Sequence, residues 1–174
     1  MNAYLLTPIL ALLAIVQSSL VSQFHLFGGA MNLILLAVVS WSLVARSAPG
    51  KLQSGTGPLV VAFAGGLLLD LFSGAPLGAS AAALVLVVYL TGFTEGRLWG
   101  SHVLLPLAAS LLGSMVYYLL TLGALALTGR QIDFVPTLNY IILPSAFLNL
   151  VFTLPVYNIT RRFHALFHPR GVAI

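Results

Sequence analysis

Long apolar stretches separated by short polar breaks dominate the pattern of this chain. Stretches such as Leu33–Val39 and Leu84–Leu90 show no alternation of apolar and polar residues, whereas a membrane β-barrel strand would alternate at every second position. An apolar run of about 20 residues lets a helix cross a hydrocarbon core of about 30 Å. The pattern therefore predicts about six transmembrane helices, at Tyr4–Phe24, Phe27–Val44, Pro58–Phe72, Leu77–Phe93, Val103–Leu127 and Thr137–Ile159.

The composition fits lipid better than water as the surroundings of this chain. Of its 174 residues, 60% are hydrophobic and only 6% are charged, whereas a soluble domain carries about a quarter charged residues. The six segments cover most of the chain, so we expect one all-α integral membrane domain over residues 1–174. The stretch Met1–Phe24 lacks both a basic start and a clear cleavage site, and is interpreted as a retained helix rather than a signal peptide.

The basic residues predict the orientation of the bundle. Cytoplasmic loops carry an excess of Lys and Arg, and alternate loops divide these residues unequally. One side receives only Arg130, and the other receives Arg46, Lys51, Arg97, Arg161, Arg162 and Arg170. Both termini are therefore expected in the cytoplasm, with residues 160–174 as a basic tail.

The basic residues also bear on possible partners. The formal net charge is +4, but its cations are scattered and do not form the basic face with interleaved aromatic residues that nucleic-acid binding requires. Contact with anionic lipid is the expected role of this charge.

The third and fourth segments form a short hairpin that glycine and proline interrupt. The third, Pro58–Phe72, reaches only about 22 Å as a helix, and Gly74, Pro76 and Gly78 follow it. Interrupted segments at membrane depth usually line a cavity or are buried in protein. The hairpin could span the bilayer or re-enter it, and in both cases its two ends emerge on the same side.

Asp70 is the only acidic residue inside any of the six segments. An ionised carboxylate in hydrocarbon costs several kcal/mol, so something must compensate it. Asp70 is either part of a binding or interaction site, or a helix-end carboxylate that accepts hydrogen bonds from Ser73 or from backbone N–H groups of the following turn. The two interpretations are compatible. Small residues beside it, Gly65, Gly66 and those at 78–83, predict that helices 3 and 4 pack tightly in the centre of the bundle.

Two polar stripes mark the last two helices. Hydroxyl and amide side chains recur at helical spacing in both, as Ser110, Ser114, Tyr117 and Thr121 on the fifth and Ser145, Asn149 and Thr153 on the sixth. Such faces turn toward other helices. They form either interhelical hydrogen bonds alone or the wall of a small-molecule cavity.

Catalytic and metal-binding sets are not evident in the sequence. The acids Asp70, Glu95 and Asp133 belong to different segments or loops, so they do not make the close pair that acid–base hydrolysis uses. The pair His164 and His168 has the i, i+4 spacing of metal ligands, but no acidic residue is near, and an interfacial helix end is the better interpretation. We expect no enzyme activity, no cofactor and no metal.

The run from Gly65 to Gly78 resembles the signature of the rod-shape-determining MreD family. That signature has a Gly, an apolar stretch, Asp-x-x-Ser-Gly and a Pro-Leu-Gly turn, and the helix that follows here ends in Tyr89-Leu90. The chain length and the basic C-terminal end also agree. The residues that would shape the turn and its contacts are Gly65, Gly66, Asp70, Ser73, Gly74, Pro76 and Gly78.

The resemblance implies a role as well as a fold. MreD is a non-enzymatic inner-membrane protein of the bacterial elongation machinery, which pairs with the single-span protein MreC. Through MreC it is linked to a class B penicillin-binding protein, the RodA glycosyltransferase and cytoplasmic MreB filaments. The fold of that family is similar to the substrate-binding subunits of energy-coupling-factor transporters. A small-molecule-binding transporter subunit is therefore the alternative function.

Overall fold

Six helices make up the part of the chain that the computed structural model describes, residues 3–19, 28–47, 56–93, 103–129 and 133–167, and no strand occurs in those ranges. The all-α prediction is confirmed. The helices are α1 (Ala3–Ser19), α2 (Leu33–Ser47), α3 (Thr56–Ser73), α4 (Ala79–Gly92), α5 (Leu104–Leu127) and α6, which joins Phe134–Thr137, a π-helical turn at Leu138–Ile142, and Leu143–Phe167.

The centre of the bundle is α2, and all five other helices pack against it. Its side chains are buried on every side from Ile34 to Ala45, apart from the half-buried Ala37. A helix that is apolar or small all round is suited to this place. The prediction that helices 3 and 4 occupy the centre is wrong. They do pack extensively on each other, but to one side of α2.

The start of α2 differs from the predicted start at Phe27. The helix begins at Leu33, because Gly28 has a left-handed backbone (φ 86°) and Asn32 caps the first turn. The Asn32 Oδ1 atom accepts a hydrogen bond from the Leu35 N–H at 3.0 Å, as N-cap side chains do. The predicted end of the first helix, at Phe24, lies outside the described residues.

The last helix is longer than predicted at both ends. It begins at Phe134 and continues beyond Ile159 to Phe167, so residues 160–167 are helical rather than a tail. Its C-terminal part is held by packing of the His164 ring on Trp41, with ring centroids 5.5 Å apart. Near its start, the π-helical turn is closed by the Leu143 N–H, which donates to the carbonyl of Leu138, and it is followed by Pro144, which has no N–H to donate.

Three helices are long and apolar enough to cross a membrane, which indicates a membrane protein. They are Thr56–Ser73, Leu104–Leu127 and Phe134–Ala165, and shorter apolar helices lie at Pro8–Ser19, Leu33–Arg46 and Ala79–Gly92. The six crossings and the cytoplasmic termini stay predictions.

Candidate functional site

The α3–α4 turn is the helix interruption that the sequence predicted. Helix α3 ends at Ser73 and α4 begins at Ala79. Between them, Gly74 (φ 64°) and Gly78 (φ 92°) both adopt left-handed backbone conformations, which glycine adopts without the steric cost of a Cβ atom. The Ala79 N–H donates to the carbonyl of Pro76 at 3.1 Å. Each residue therefore has a definite role in the turn. Gly74 and Gly78 supply its left-handed conformations, and Pro76 supplies a carbonyl acceptor.

Asp70 caps the first turn of α4 from across the hairpin. Its Oδ2 atom accepts hydrogen bonds from the N–H groups of Gly78 at 2.8 Å and Ala81 at 3.4 Å. Its Oδ1 atom accepts one from the N–H of Ser80 at 3.0 Å. These N–H groups are the donors that the start of a helix leaves unpaired, and the positive end of the helix dipole favours a carboxylate there.

This geometry explains how Asp70 can be 3% exposed in an apolar bundle. The helix-end interpretation of Asp70 is the one the contacts fit, with backbone N–H groups as the donors. Ser73 has another role, since its Oγ atom accepts a hydrogen bond from the Ala75 N–H at 3.4 Å. The side chain of Asp70 thus joins the end of one helix to the beginning of the next.

Ser80 connects the capped start of α4 to a third helix, α5. Its Oγ atom lies 3.0 Å from the hydroxyl of Tyr117 in α5, and both side chains are buried. The sequence placed Tyr117 on a polar stripe and Ser80 among small residues, but did not connect the two. The signal that could have identified Ser80 is its position two residues after Gly78, the last glycine of the turn.

The two adjacent glycines of α3 serve two different contacts. A Cβ atom on Gly66 would lie 2.5 Å from the Ala81 nitrogen and 2.8 Å from the Ser80 carbonyl carbon, both in α4. A Cβ atom on Gly65 would instead lie 3.2 Å from Ile34, in α2. Gly66 therefore permits the close approach of backbones that brings Asp70 within reach of α4.

The polar stripes of α5 and α6 bond mainly to each other and to the chain that precedes α2. Asn149 accepts the N–H of Asn32 at 2.8 Å and donates to Ser114 Oγ at 3.0 Å. Thr153 Oγ1 lies 2.6 Å from Ser110 Oγ. These side chains are at most 6% exposed. Their polar atoms are engaged in interhelical hydrogen bonds, which favours that interpretation over a cavity wall.

Two further stripe residues behave differently from each other. Ser145 Oγ accepts the N–H of Ala30 at 3.1 Å and so also holds the segment before α2. Thr121 instead donates within its own helix, with its Oγ1 atom 2.9 Å from the carbonyl oxygen of Tyr117. The stripe of α5 therefore stops making interhelical bonds one turn after Tyr117.

A second polar cluster lies at the opposite end of α4. Arg46, at the end of α2, donates through Nε to Ser42 at 3.2 Å and through its terminal nitrogen to the carbonyl of Val88 at 3.2 Å. A cation near the C-terminus of a helix is favourable. From the sequence alone, Arg46 is a basic loop residue that helps to set the orientation of the bundle in the membrane. The structure also gives it a contact with α4.

The remaining candidate residues do not assemble with this site. Asp133 is exposed and precedes α6 without a side-chain cap to it. Glu95 and His168 lie outside the described residues, and His164 packs on Trp41. Within the described ranges, no three His, Asp or Glu side chains are grouped closely enough to hold a metal ion.

Comparisons of the chain with models of known protein families, with characterised proteins and with solved structures give no significant match. The functional assignment therefore depends on the sequence motif and on the geometry of the α3–α4 turn.

Proposed function

We propose that this chain is a non-enzymatic membrane scaffold of the MreD type, which binds the membrane helix of an MreC-like single-span protein. In this role it supports peptidoglycan synthesis in the cell-elongation machinery, alongside a class B penicillin-binding protein and RodA. The proposed location is the bacterial inner membrane, with both termini in the cytoplasm.

The observation that carries the proposal is the organisation of the motif residues. Six of the seven residues of the resemblance lie at the α3–α4 contact: Asp70 caps α4, Gly66 admits the α4 backbone, and Ser73, Gly74, Pro76 and Gly78 belong to the end of α3 and the turn, whereas Gly65 faces α2. The chemistry of this contact is structural, because the carboxylate oxygens are occupied by backbone N–H groups. A rigid turn with no reactive group offered to a substrate suits a protein that holds other membrane helices.

The rival function, a small-molecule-binding transporter subunit, has less support from the contacts. A polar ligand in the bundle would need side chains to bind it, and the polar stripes were the candidates. Ser114, Asn149 and Thr153 are instead buried and bonded within the protein. A ligand that used these groups would first have to displace their internal hydrogen bonds, each worth about 0.5–1.5 kcal/mol.

Pull-down in mild detergent tests the proposal. The tagged chain should recover an MreC-like single-span protein from its own organism. Asp70→Ala should reduce that recovery and disturb rod shape, whereas Asp133→Ala, which removes an exposed acid, should do neither. A vitamin-sized molecule bound to the purified protein, without any single-span partner, would favour the transporter subunit. Normal recovery and normal shape with Asp70→Ala would remove Asp70 from the proposal.

A further inference from the structure

The α3–α4 hairpin is too short to cross a bilayer of ordinary thickness. Helices α3 and α4 have 18 and 14 residues, whereas α5 has 24. At about 1.5 Å per residue, these lengths correspond to about 27, 21 and 36 Å. The hydrocarbon core of a bilayer is about 30 Å thick, so α5 can cross all of it, whereas α4 falls about 9 Å short.

Aromatic and basic side chains place the far end of α4 at a membrane surface. Tyr89 and Phe93 are exposed there, with their ring centroids 5.2 Å apart, and Arg46 donates to the carbonyl of Val88 beside them. Tyrosine is enriched at membrane interfaces, and basic side chains near helix ends extend toward the headgroups. The missing length of the hairpin therefore lies at its other end, the α3–α4 turn.

The contact between α4 and α5 places the difference in length at the same end. Ser80, in the first turn of α4, meets Tyr117 of α5. Residues 118–127 of α5 continue beyond that level for about 15 Å. The turn thus lies below the level that the end of α5 reaches, on the external side by the predicted orientation.

The backbone of the turn is open to its surroundings. Leu71 and Leu77, on either side of it, are 67% and 74% exposed, and Ser73 and Gly74 are exposed as well. The last carbonyl groups of a helix lack donors within that helix, and α3 ends at Ser73. Lipid-exposed irregular backbone does not occur within the hydrocarbon region, because nothing there can bond to it. The turn therefore needs polar surroundings at a depth where an undisturbed bilayer has acyl chains.

We propose that lipid headgroups and their water descend to the α3–α4 turn. The bilayer is then thinner by about 9 Å along the hairpin than along α5 and α6. Local thinning is one of the ways in which a bilayer adapts to a short hydrophobic segment, at modest cost. The exposed leucines beside the turn still contact acyl chains, while the backbone between them meets headgroups and water. This inference depends on the membrane environment and not on the proposed scaffold function.

Thiol accessibility in a bilayer of known composition tests this placement. The chain contains no cysteine, so a single Leu77→Cys substitution gives one reactive group at the turn. The full chain would be placed in nanodiscs of dioleoyl-phosphatidylcholine, which leave both membrane surfaces accessible, and treated with a membrane-impermeant maleimide. Leu77 is exposed, so its replacement removes no packed side chain.

Leu143→Cys is the matched control on the long side of the bundle. Leu143 is 46% exposed in α6, six residues before Asn149, which bonds to Ser114 of α5. It therefore lies about 9 Å from the level of Ser114 toward the external side. Tyr117, which meets Ser80, lies about 4.5 Å from Ser114 in the same direction. With the turn just beyond Ser80, Leu77 and Leu143 are at similar depths.

The inference predicts different labelling rates at these two depth-matched positions. Leu77→Cys should react at least about tenfold faster than Leu143→Cys, because apolar surroundings suppress the thiolate that reacts. In sodium dodecyl sulfate the two variants should react equally fast.

Equal rates in the nanodiscs would overturn the inference. If both are slow, the turn lies in hydrocarbon, and if both are fast, the external ends of all these helices stand outside the membrane. A slower reaction at Leu77→Cys would overturn it too. Since the discs contain no partner protein, none of these results bears on the proposed function, which the pull-down tests separately.

Discussion

Asp70 accepts three hydrogen bonds from the backbone of α4 while it belongs to α3. A carboxylate in this position both stabilises the start of α4 and holds the hairpin closed. The buried polar contacts that hold this bundle include the Asp70 cap at the turn and the Asn149 amide between the polar stripes.

Replacing Asp70 by alanine removes the cap and leaves buried N–H groups without acceptors. We expect Asp70→Ala to lower the free energy of unfolding by about 1–3 kcal/mol, read as a lower midpoint of thermal unfolding in detergent. Asp70→Asn should be intermediate, because its amide keeps one acceptor but points an NH2 donor at the other N–H groups. Asp133→Ala is the matched control, since its side chain makes no cap. Equal midpoints for the two alanine variants would contradict the capping role.

Asn149 is the second test at this scale, because it joins three parts of the chain. Asn149→Ala leaves the buried Asn32 N–H and the Ser114 hydroxyl without their partner. We expect a loss of about 1 kcal/mol in the free energy of unfolding, since interhelical polar contacts in lipid are worth about 0.6–2 kcal/mol. Asn158→Ala, an exposed amide in the same helix, should leave the midpoint unchanged. An unchanged midpoint for Asn149→Ala would show that the stripes do not hold the bundle together.

The sequence predicted the important residues of the turn better than it predicted their partners. Asp70 is recognisable because an acid stands alone in an apolar segment, and Gly74 and Gly78 because they interrupt a helix. The partner of Ser80 could not be predicted, because Tyr117 is far away in sequence and meets it only through the register of α4 against α5. The role of Arg46 was missed for the same reason.

At the scale of elements, the contact between α3 and α4 depends on a residue without a side chain. Gly66→Ala places a methyl group against the backbone at Ser80 and Ala81, which cannot move as a flexible side chain does. Overpacking of this kind costs about 1–3 kcal/mol. The measurement is again the unfolding midpoint in detergent.

Gly123→Ala is the control for Gly66, because a Cβ atom there would meet nothing within 4 Å. Alanine is the better helix former by about 1 kcal/mol, so this control should keep or raise the midpoint. A Gly66→Ala protein as stable as the Gly123→Ala protein would mean that α3 and α4 are not in backbone contact.

The positions of the helices were predictable and several of their ends were not. Apolar runs locate helices well, but the start of α2 depends on the Asn32 cap and on the left-handed Gly28. The end of α6 depends on packing of His164 against Trp41, a contact between distant segments. The central place of α2 follows from a surface of apolar and small residues on all its sides, whereas small residues had favoured α3 and α4.

At the scale of the whole molecule, the described helices form an arc around α2 that runs from α1 through α3, α4 and α5 to α6. The helices of this arc differ in length, with 14 residues in α4 and 24 in the neighbouring α5. The short third and fourth segments were visible in the sequence. Their level relative to α5 was not, because it is set by the pairing of Ser80 with Tyr117.

The membrane environment of this bundle underlies every structural and functional inference about it, and extraction of isolated membranes measures that environment directly. The chain should stay in the pellet after washing with alkaline carbonate. It should enter solution only with detergent and then give a strongly helical circular dichroism spectrum. Recovery in the carbonate supernatant as a folded monomer without detergent would show that the bundle is not embedded in a membrane.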